Sequence, residues 1–284
     1  NFFVVYLKAL RWKHLMHPQT ILSSRAFNAT LIGMAGNNVF PARGGDWLKI
    51  YLLGKWEDRS KSSLASIVGL DKLLDGLVML SLFGILSLHS KFPEWVTSGT
   101  LTVSLVLAVS IIICILLLRH HQNSTTHEKQ TKFSRIAKQF GAGMQALTSG
   151  KIIALTLLNS FAICFFQIIT IVLCQIAFGI ELNLWMAALI YVAINLAITI
   201  PSAPSGVGPF EAAAVLAYTW IGLTTATAFN IAIMYHAVQF FPITLAGFVF
   251  YYFSIKPGSG LLKNQNRDQT PASTRKMREV ISEG

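Results

Sequence analysis

The sequence contains very long stretches without a charged side chain. Between Lys151 and Lys256, the only aspartate, glutamate, lysine or arginine residues are Glu181 and Glu211. Residues 96–118 have none at all. Because roughly 20 apolar residues cross the hydrocarbon core of a bilayer, uncharged runs of this length are typical of transmembrane helices. A polytopic membrane protein is therefore predicted, in preference to a soluble domain with buried helices.

Composition and charge placement agree with that prediction. Hydrophobic residues make up 53% of the chain and charged residues 12%, with a mean hydropathy of +0.55, whereas soluble domains are about 25% charged. The net charge of +11 resides in the segments between apolar runs, as expected for loops that face an anionic leaflet. Nucleic acid is therefore not an expected partner. The three cysteines lie within apolar runs, and we expect neither a disulfide nor a bound metal or cofactor.

The apolar segments predict an all-α fold, a transmembrane helix bundle. Residues 1–10 resemble the end of a spanning helix that stops at an interface formed by Arg11, Trp12 and Lys13. Since the chain starts with Asn1 inside this run, we expect the N-terminus to be truncated. Residues 1–255 are predicted to be the transmembrane domain, and residues 256–284 a basic cytoplasmic tail. The further predicted spans are residues 64–89, 96–118, 152–178 and 225–255, and residues 182–200 are an apolar segment that breaks at Pro201.

Two segments, Ile21–Phe40 and Leu182–Gly222, are predicted to be re-entrant hairpins. Each contains an asparagine in an apolar run, then proline, glycines and an acid that opens a helix. If both segments dip into the membrane and return, all basic clusters lie in the cytoplasm, which satisfies the positive-inside rule. Three spans separate the segments, so the second copy is inverted. Inverted repeats with helices broken by glycine and proline are typical of a transporter's substrate site.

The candidate substrate-binding residues lie at these two breaks. Helix starts expose backbone N–H groups that suit an anion, and the guanidinium of Arg43 fits a phosphate. Glu211, near the third position of its helix, is expected to accept hydrogen bonds from free amides. The complete predicted set is Arg43, Gly44, Gly45, Asp46, Gly206, Gly208 and Glu211.

Five other polar residues have predicted supporting or structural roles. Asn38 and Asn195 are expected to satisfy broken backbone. Asp71 and Asp75 lie four residues apart on one helical face, and Asp75 is expected to pair with Arg43 or Lys72. His236 is expected to be a hydrogen-bonded core residue. Asp46, already a member of the binding set, is also expected to cap its helix.

Three blocks of sequence resemble the flippase-like transmembrane family. They are Asn38 with Pro41-Ala-Arg-Gly-Gly-Asp46, the helix start with Asp71 and Asp75, and the block Pro201–Glu211. This family includes the lysylphosphatidylglycerol synthase transmembrane region, the lipid-moving half of the multiple peptide resistance factor. Asp46 stands where the family usually has glutamate. No segment here is long and polar enough to be the soluble aminoacyl-transferase domain of true synthases.

The resemblance implies a bacterial or archaeal inner-membrane protein that translocates a lipid. The expected function is that of a flippase for an anionic phospholipid or a polyprenyl-phosphate-linked sugar, whose headgroup phosphate binds between the hairpins. One alternative is a lipid or glycan transferase that uses Asp71, Asp75 and Glu211. Another is a non-catalytic membrane partner of a synthase or glycosyltransferase.

Overall fold

The computed structural model describes residues 1–18, 21–88, 94–123, 139–181, 183–199 and 203–255, and these residues are helical without a β-strand. The all-α prediction is confirmed. The predicted tail, residues 256–284, lies outside the described residues. Within the described residues, the framework is formed by the helices α1 Phe2–Leu15, α2 Ser23–Val39, α3 Gly44–Trp56, α4 Lys61–Ser87, α5 Glu94–Asn123, α6 Gly150–Ala177, α7 Leu184–Ala197, α8 Pro209–Trp220 and α9 Thr225–Ile255.

Three of the described helices are long and apolar enough to cross a bilayer, which makes this a multi-pass membrane protein. They are α5, α6 and α9, whose spanning parts have mean hydropathies of 2.1, 2.2 and 1.5. Much of their surface is apolar and exposed, and Leu101 and Leu105 on α5 each have an exposed fraction of 67%. An exposed apolar surface of this extent fits contact with lipid tails rather than with water. The 27-residue α4 is also long, but its first half carries Asp71, Lys72 and Asp75.

The predicted bounds of the first hairpin, Ile21–Phe40, are wrong, because that segment holds the single helix α2. The helical hairpin is formed by α2 together with α3. The two helices are antiparallel, because Arg25 at the start of α2 donates to the backbone carbonyl of Trp56 at the end of α3 (2.9 Å). They also touch along their backbones. A Cβ atom added at Gly36 would lie 2.8 Å from the Cα atom of Gly45, and a Cβ at Gly45 would overlap the backbone of Gly33. Glycine at these positions is what allows such a close approach.

Helices α7 and α8 form the second helical hairpin. They pack against each other, and their contacts show that they are antiparallel. Gln175, near the end of α6, donates to the hydroxyl of Tyr218 near the end of α8 (3.2 Å). Since α7 begins just after α6 ends, the end of α8 lies close to the start of α7. The hairpin packs within the larger apolar core of the protein, which also includes parts of α4, α6 and α9.

The tips of the two hairpins share a backbone conformation. Each tip begins a 3₁₀ turn at a proline, and the next two residues have left-handed φ angles. These angles are 51° and 56° at Ala42 and Arg43, and 59° and 75° at Ser205 and Gly206. Helices α4, α5 and α6 separate the hairpins in the chain. The backbone therefore supports an internal repeat, while re-entry of either hairpin into the bilayer stays a prediction.

The expected end of the first helix at Arg11 is wrong. Helix α1 continues to Leu15, and Arg11 has an exposed fraction of 0%. The reason is electrostatic, because two carboxylates on α4 neutralise the buried guanidinium. A cation that the sequence places at an interface is thus part of the protein interior.

Candidate functional site

The tips of the two hairpins contact each other directly. The hydroxyl of Ser205 on the second tip donates to the side-chain oxygen of Asn38 beside the first tip (3.4 Å). The guanidinium of Arg43 on the first tip donates to the backbone carbonyl of Ile198, just after α7 (3.4 Å). The two sequence breaks thus form one junction, as the repeat predicted.

Asp46 binds side chains rather than capping its helix, so the expected cap is wrong. Its carboxylate accepts from the amide of Asn37 (3.1 Å) and lies 3.3 Å from the ammonium of Lys72 on α4. Its own backbone N–H donates to the side-chain oxygen of Asn37 (3.1 Å). Asn37 therefore satisfies the start of α3, and Lys72 joins the first hairpin to α4.

Glu211 accepts a hydrogen bond at the start of α8, as predicted. One carboxylate oxygen accepts from the backbone N–H of Gly208 (2.7 Å). The other contacts Nδ1 of His236 on α9. His236 is buried, and its Nε2 lies 2.9 Å from the hydroxyl of Ser205. The expectation of a hydrogen-bonded core histidine is confirmed, and this histidine joins α9 to the tip of the second hairpin.

A chain of contacts runs from the hydroxyl of Ser205 through His236 to Glu211. The same arrangement of a nucleophile, a base and an orienting carboxylate occurs in enzymes with an activated nucleophile. Such a site also needs amide donors for a developing oxyanion. In the described part of this tip, residues 203–208, the backbone N–H groups of Gly206 and Val207 donate to carbonyls of the 3₁₀ turn (2.9 and 3.3 Å). The geometry therefore provides a hydrogen-bonded chain without a visible oxyanion site among these amides.

A buried ion cluster holds α1 against α4. The guanidinium of Arg11 lies 2.8 Å from Asp71 and 2.7 Å from Asp75, and it also donates to the hydroxyl of Ser160 on α6 (2.9 Å). The expected pairing of Asp75 with Arg43 or Lys72 is wrong, because both carboxylates of α4 pair with Arg11 instead. This pairing could not be predicted from a local sequence pattern, since Arg11 and Asp75 are far apart in the chain.

A cavity of about 920 Å³ opens beside the hairpin junction, within the size range of ligand pockets. One end is polar and is lined by Lys8, Arg43, Lys72 and Asp75, with Asn195 and Thr199 of the second hairpin segment. The rest of the lining lies mainly along α4 and α5 and is mostly apolar, with Thr102, Ser110, Gln167 and Tyr191 as its polar members. This part is called the apolar channel below. Its lining includes Leu73, Gly76, Met79, Val103, Val106 and Leu107.

The structure separates the predicted site residues into two groups. Arg43 lines the cavity, as do Asp75 and Asn195 from the supporting set. Gly45 is buried between α2 and α3 instead. The other five predicted binding residues belong to the two hairpin starts and are not among the cavity-lining residues: Gly44, Asp46, Gly206, Gly208 and Glu211.

The two predicted asparagines bind elsewhere than expected. Asn38 donates to the carbonyl of Phe240 (3.3 Å) and to the hydroxyl of Thr244 (2.7 Å) on α9. Asn195 donates to the carbonyl of Tyr191, one turn earlier in its own helix (2.8 Å). Among the described residues, neither side-chain amide donates to the backbone of a broken tip.

The sequence reasoning missed the two lysines that line the polar end, Lys8 and Lys72. Lys8 lies in an apolar run three residues before Arg11, and a cation within a predicted span is itself a signal of function. The sequence predicts Lys72 only as a possible partner of Asp75, whereas in the structure it pairs with Asp46.

Comparison with known proteins places the chain in a family. The family model described as the lysylphosphatidylglycerol synthase TM region matches residues 1–247. A UPF0104 membrane protein of Methanothermobacter thermautotrophicus is 23% identical over 276 residues, which cover 87% of this chain and 81% of that protein. A UPF0104 membrane protein of Methanocaldococcus jannaschii is 28% identical over 220 residues, which cover 76% of this chain and 92% of that protein. No solved structure matches this chain. Because the family model covers most of its length, the chain belongs to the family of the lysylphosphatidylglycerol synthase transmembrane region.

Proposed function

We propose that this protein is a flippase that moves a phospholipid or a lipid-linked precursor across the membrane. The cavity is the observation that carries this proposal. Its cationic end, with Lys8, Arg43 and Lys72, suits a headgroup phosphate, and its apolar channel between α4 and α5 suits a lipid tail. Both halves of an amphiphile thus find a complementary surface in one continuous space.

The hairpins support a path that runs through the membrane interior. The helices α2, α3, α7 and α8 have 17, 13, 14 and 12 residues. Even the longest is only about 25 Å long at 1.5 Å per residue, shorter than a hydrocarbon core of about 30 Å. We therefore propose that each hairpin enters and leaves the bilayer on one side, and that the non-helical tips border a polar cavity rather than lipid.

The same topology orients the protein. Two re-entrant hairpins place the basic loop of residues 119–151 and the tail of residues 256–284 in the cytoplasm, in agreement with the positive-inside rule. We propose location in the cytoplasmic membrane of a bacterium or archaeon, and the two relatives described above come from archaea.

Reconstitution into vesicles tests the proposal. The full chain is placed in phosphatidylcholine vesicles that contain a trace of a fluorescent anionic phospholipid, and dithionite added outside destroys the exposed fluorophore. A flippase brings inner-leaflet lipid outward, so more than the outer half of the fluorescence is lost. Loss of only the outer half, as in protein-free vesicles, would contradict the proposal.

A lipid-modifying enzyme is the second candidate, because Ser205, His236 and Glu211 are aligned as described. In acyl transfer, the hydroxyl oxygen of Ser205 would attack the ester carbonyl while His236 took its proton, and the lipid alcohol would leave. Water would then release the acid. Mass spectrometry of the same vesicles distinguishes the candidates, since an enzyme yields a lysolipid that disappears in Ser205→Ala, whereas a flippase leaves the lipid intact.

A further inference from the structure

The charges that line the cavity do not balance. Among the described residues, the lining has three cations, Lys8, Arg43 and Lys72, and one carboxylate, Asp75. The lining therefore carries a surplus of two positive charges when all four are ionised.

The side chains directly behind the lining do not remove this surplus. Arg11 is held by Asp71 and Asp75, and Lys49 lies within the field of Asp46 and Asp71. With every group ionised, the two described cations of this second layer, Arg11 and Lys49, are matched by two carboxylates, Asp46 and Asp71. The two positive charges of the lining remain.

Two of the lining cations have no carboxylate partner of their own among the described residues. Arg43 donates only to the backbone carbonyl of Ile198, and Lys8 forms no ion pair within 4.0 Å in the described part of the chain. Cations at membrane depth need a counter-charge. Because the cavity leads from these cations into an apolar channel, an anionic group carried on an apolar tail supplies that charge and fills the channel.

We propose that the preferred substrate is a lipid with a doubly charged phosphate, a terminal monoester or a diphosphate, rather than a singly charged phosphodiester. This inference rests on the proposed function and specifies its substrate class. A terminal phosphate carries a charge of nearly −2 above its second pKa of about 6, which matches the surplus. A diester such as phosphatidylglycerol carries −1 and leaves one cation of the lining uncompensated.

The test compares three fluorescent lipids with identical acyl chains in reconstituted phosphatidylcholine vesicles: phosphatidic acid, phosphatidylglycerol and phosphatidylcholine. At about pH 8, phosphatidic acid should cross at least about tenfold faster than phosphatidylglycerol, the factor that one charge-assisted hydrogen bond supplies. At about pH 5, below the second pKa of the monoester, phosphatidic acid carries only −1. Its advantage over phosphatidylglycerol should then disappear.

A matched pair of variants assigns the preference to the cavity. Lys8→Met removes one lining charge and keeps an apolar chain of similar length, so it should bring the two anionic lipids to equal rates. Lys13→Met lies on the same helix, where Lys13 donates to Ser23 and does not line the cavity, and it should keep the preference. If Lys8→Met fails to reach the membrane, the comparison of lipids and pH values in the unchanged protein still tests the preference for a doubly charged phosphate.

Glycerol 3-phosphate separates a lipid site from a site for soluble phosphate. It carries the same monoester without acyl chains and should not compete at about tenfold excess over the lipid, because the channel contributes to binding. Strong competition would overturn the lipid assignment. Equal rates for phosphatidic acid and phosphatidylglycerol at about pH 8, both above protein-free vesicles, would overturn the charge inference and leave the flippase intact. If neither lipid moves, both the charge inference and the proposed flippase function are overturned.

Discussion

Ser205 at the tip of the second hairpin donates to Asn38 beside the tip of the first (3.4 Å). Through this hydrogen bond, two breaks far apart in the chain become one junction. His236 holds Ser205 from the other side (2.9 Å), and Asn38 is bound to Thr244 (2.7 Å), so both partners are anchored on α9. The tips of both hairpins are therefore held against the same helix, α9.

Arg11→Met should strongly destabilise the protein. It removes the guanidinium that neutralises both carboxylates, so the buried Asp71 and the cavity-lining Asp75 lose their counter-charge. Breaking a buried ion pair by removing one partner costs about 3–5 kcal/mol of unfolding free energy. Thermal unfolding in detergent measures the loss, and Lys55→Met, at an exposed position of α3, is the control. A loss equal to that of the control would contradict the structural role of the cluster.

Glu211→Gln should reduce transport while leaving membrane expression near normal. The glutamine oxygen can still accept from the backbone N–H of Gly208, so the start of α8 is preserved. The charge beside His236 is lost. Lipid movement in vesicles is the measurement, with Glu94→Gln at the start of α5 as the control. Transport at the rate of the unchanged protein would show that Glu211 acts only as a helix cap.

Arg43→Lys should weaken headgroup binding by about 1–2 kcal/mol, because lysine keeps the charge but loses the planar fork that binds two phosphate oxygens. The dependence of the transport rate on lipid concentration reports this change. Arg59→Lys, in the turn between α3 and α4, is the control. An unchanged concentration dependence would remove Arg43 from the binding site.

Cysteines placed in the basic segments test the topology. Ser124→Cys and Ser273→Cys lie in segments predicted to face the cytoplasm. An impermeant maleimide added to intact cells should leave both unlabelled. Glu181→Cys, in the exposed turn between α6 and α7, should react. Ready labelling at residue 124 or 273 would refute two re-entrant hairpins.

The sequence predicted the helices and both breaks, because their causes are local. Uncharged runs fix the long helices, and Pro41 and Pro204 begin tips that the next residues complete in left-handed conformations. The hydrogen-bond partners of the polar side chains were harder to predict. Asn37, not its neighbour Asn38, satisfies the start of α3.

Long-range partners decide the remaining contacts. Arg11 meets acids of α4, and His236 meets Glu211, and only the packing of helices determines such choices. The cavity also depends on this packing, since its wall combines residues of α1, α4, α5 and the hairpin segments.

The central claim, that lipid passes through the cavity, is tested most directly by filling it. Gly69 lines the cavity on α4, and no atom lies within 4 Å of a Cβ added there. Gly69→Leu should therefore obstruct the cavity without a clash. Gly84→Leu is the matched control, because Gly84 lies on the same helix, has the same open surroundings and does not line the cavity. Each change replaces glycine by a better helix former, which gains about 0.8–1 kcal/mol in helix propensity. We expect lipid movement in Gly69→Leu vesicles to fall to the rate of protein-free vesicles and Gly84→Leu to retain full transport, whereas equal and undiminished rates in both variants would contradict the account.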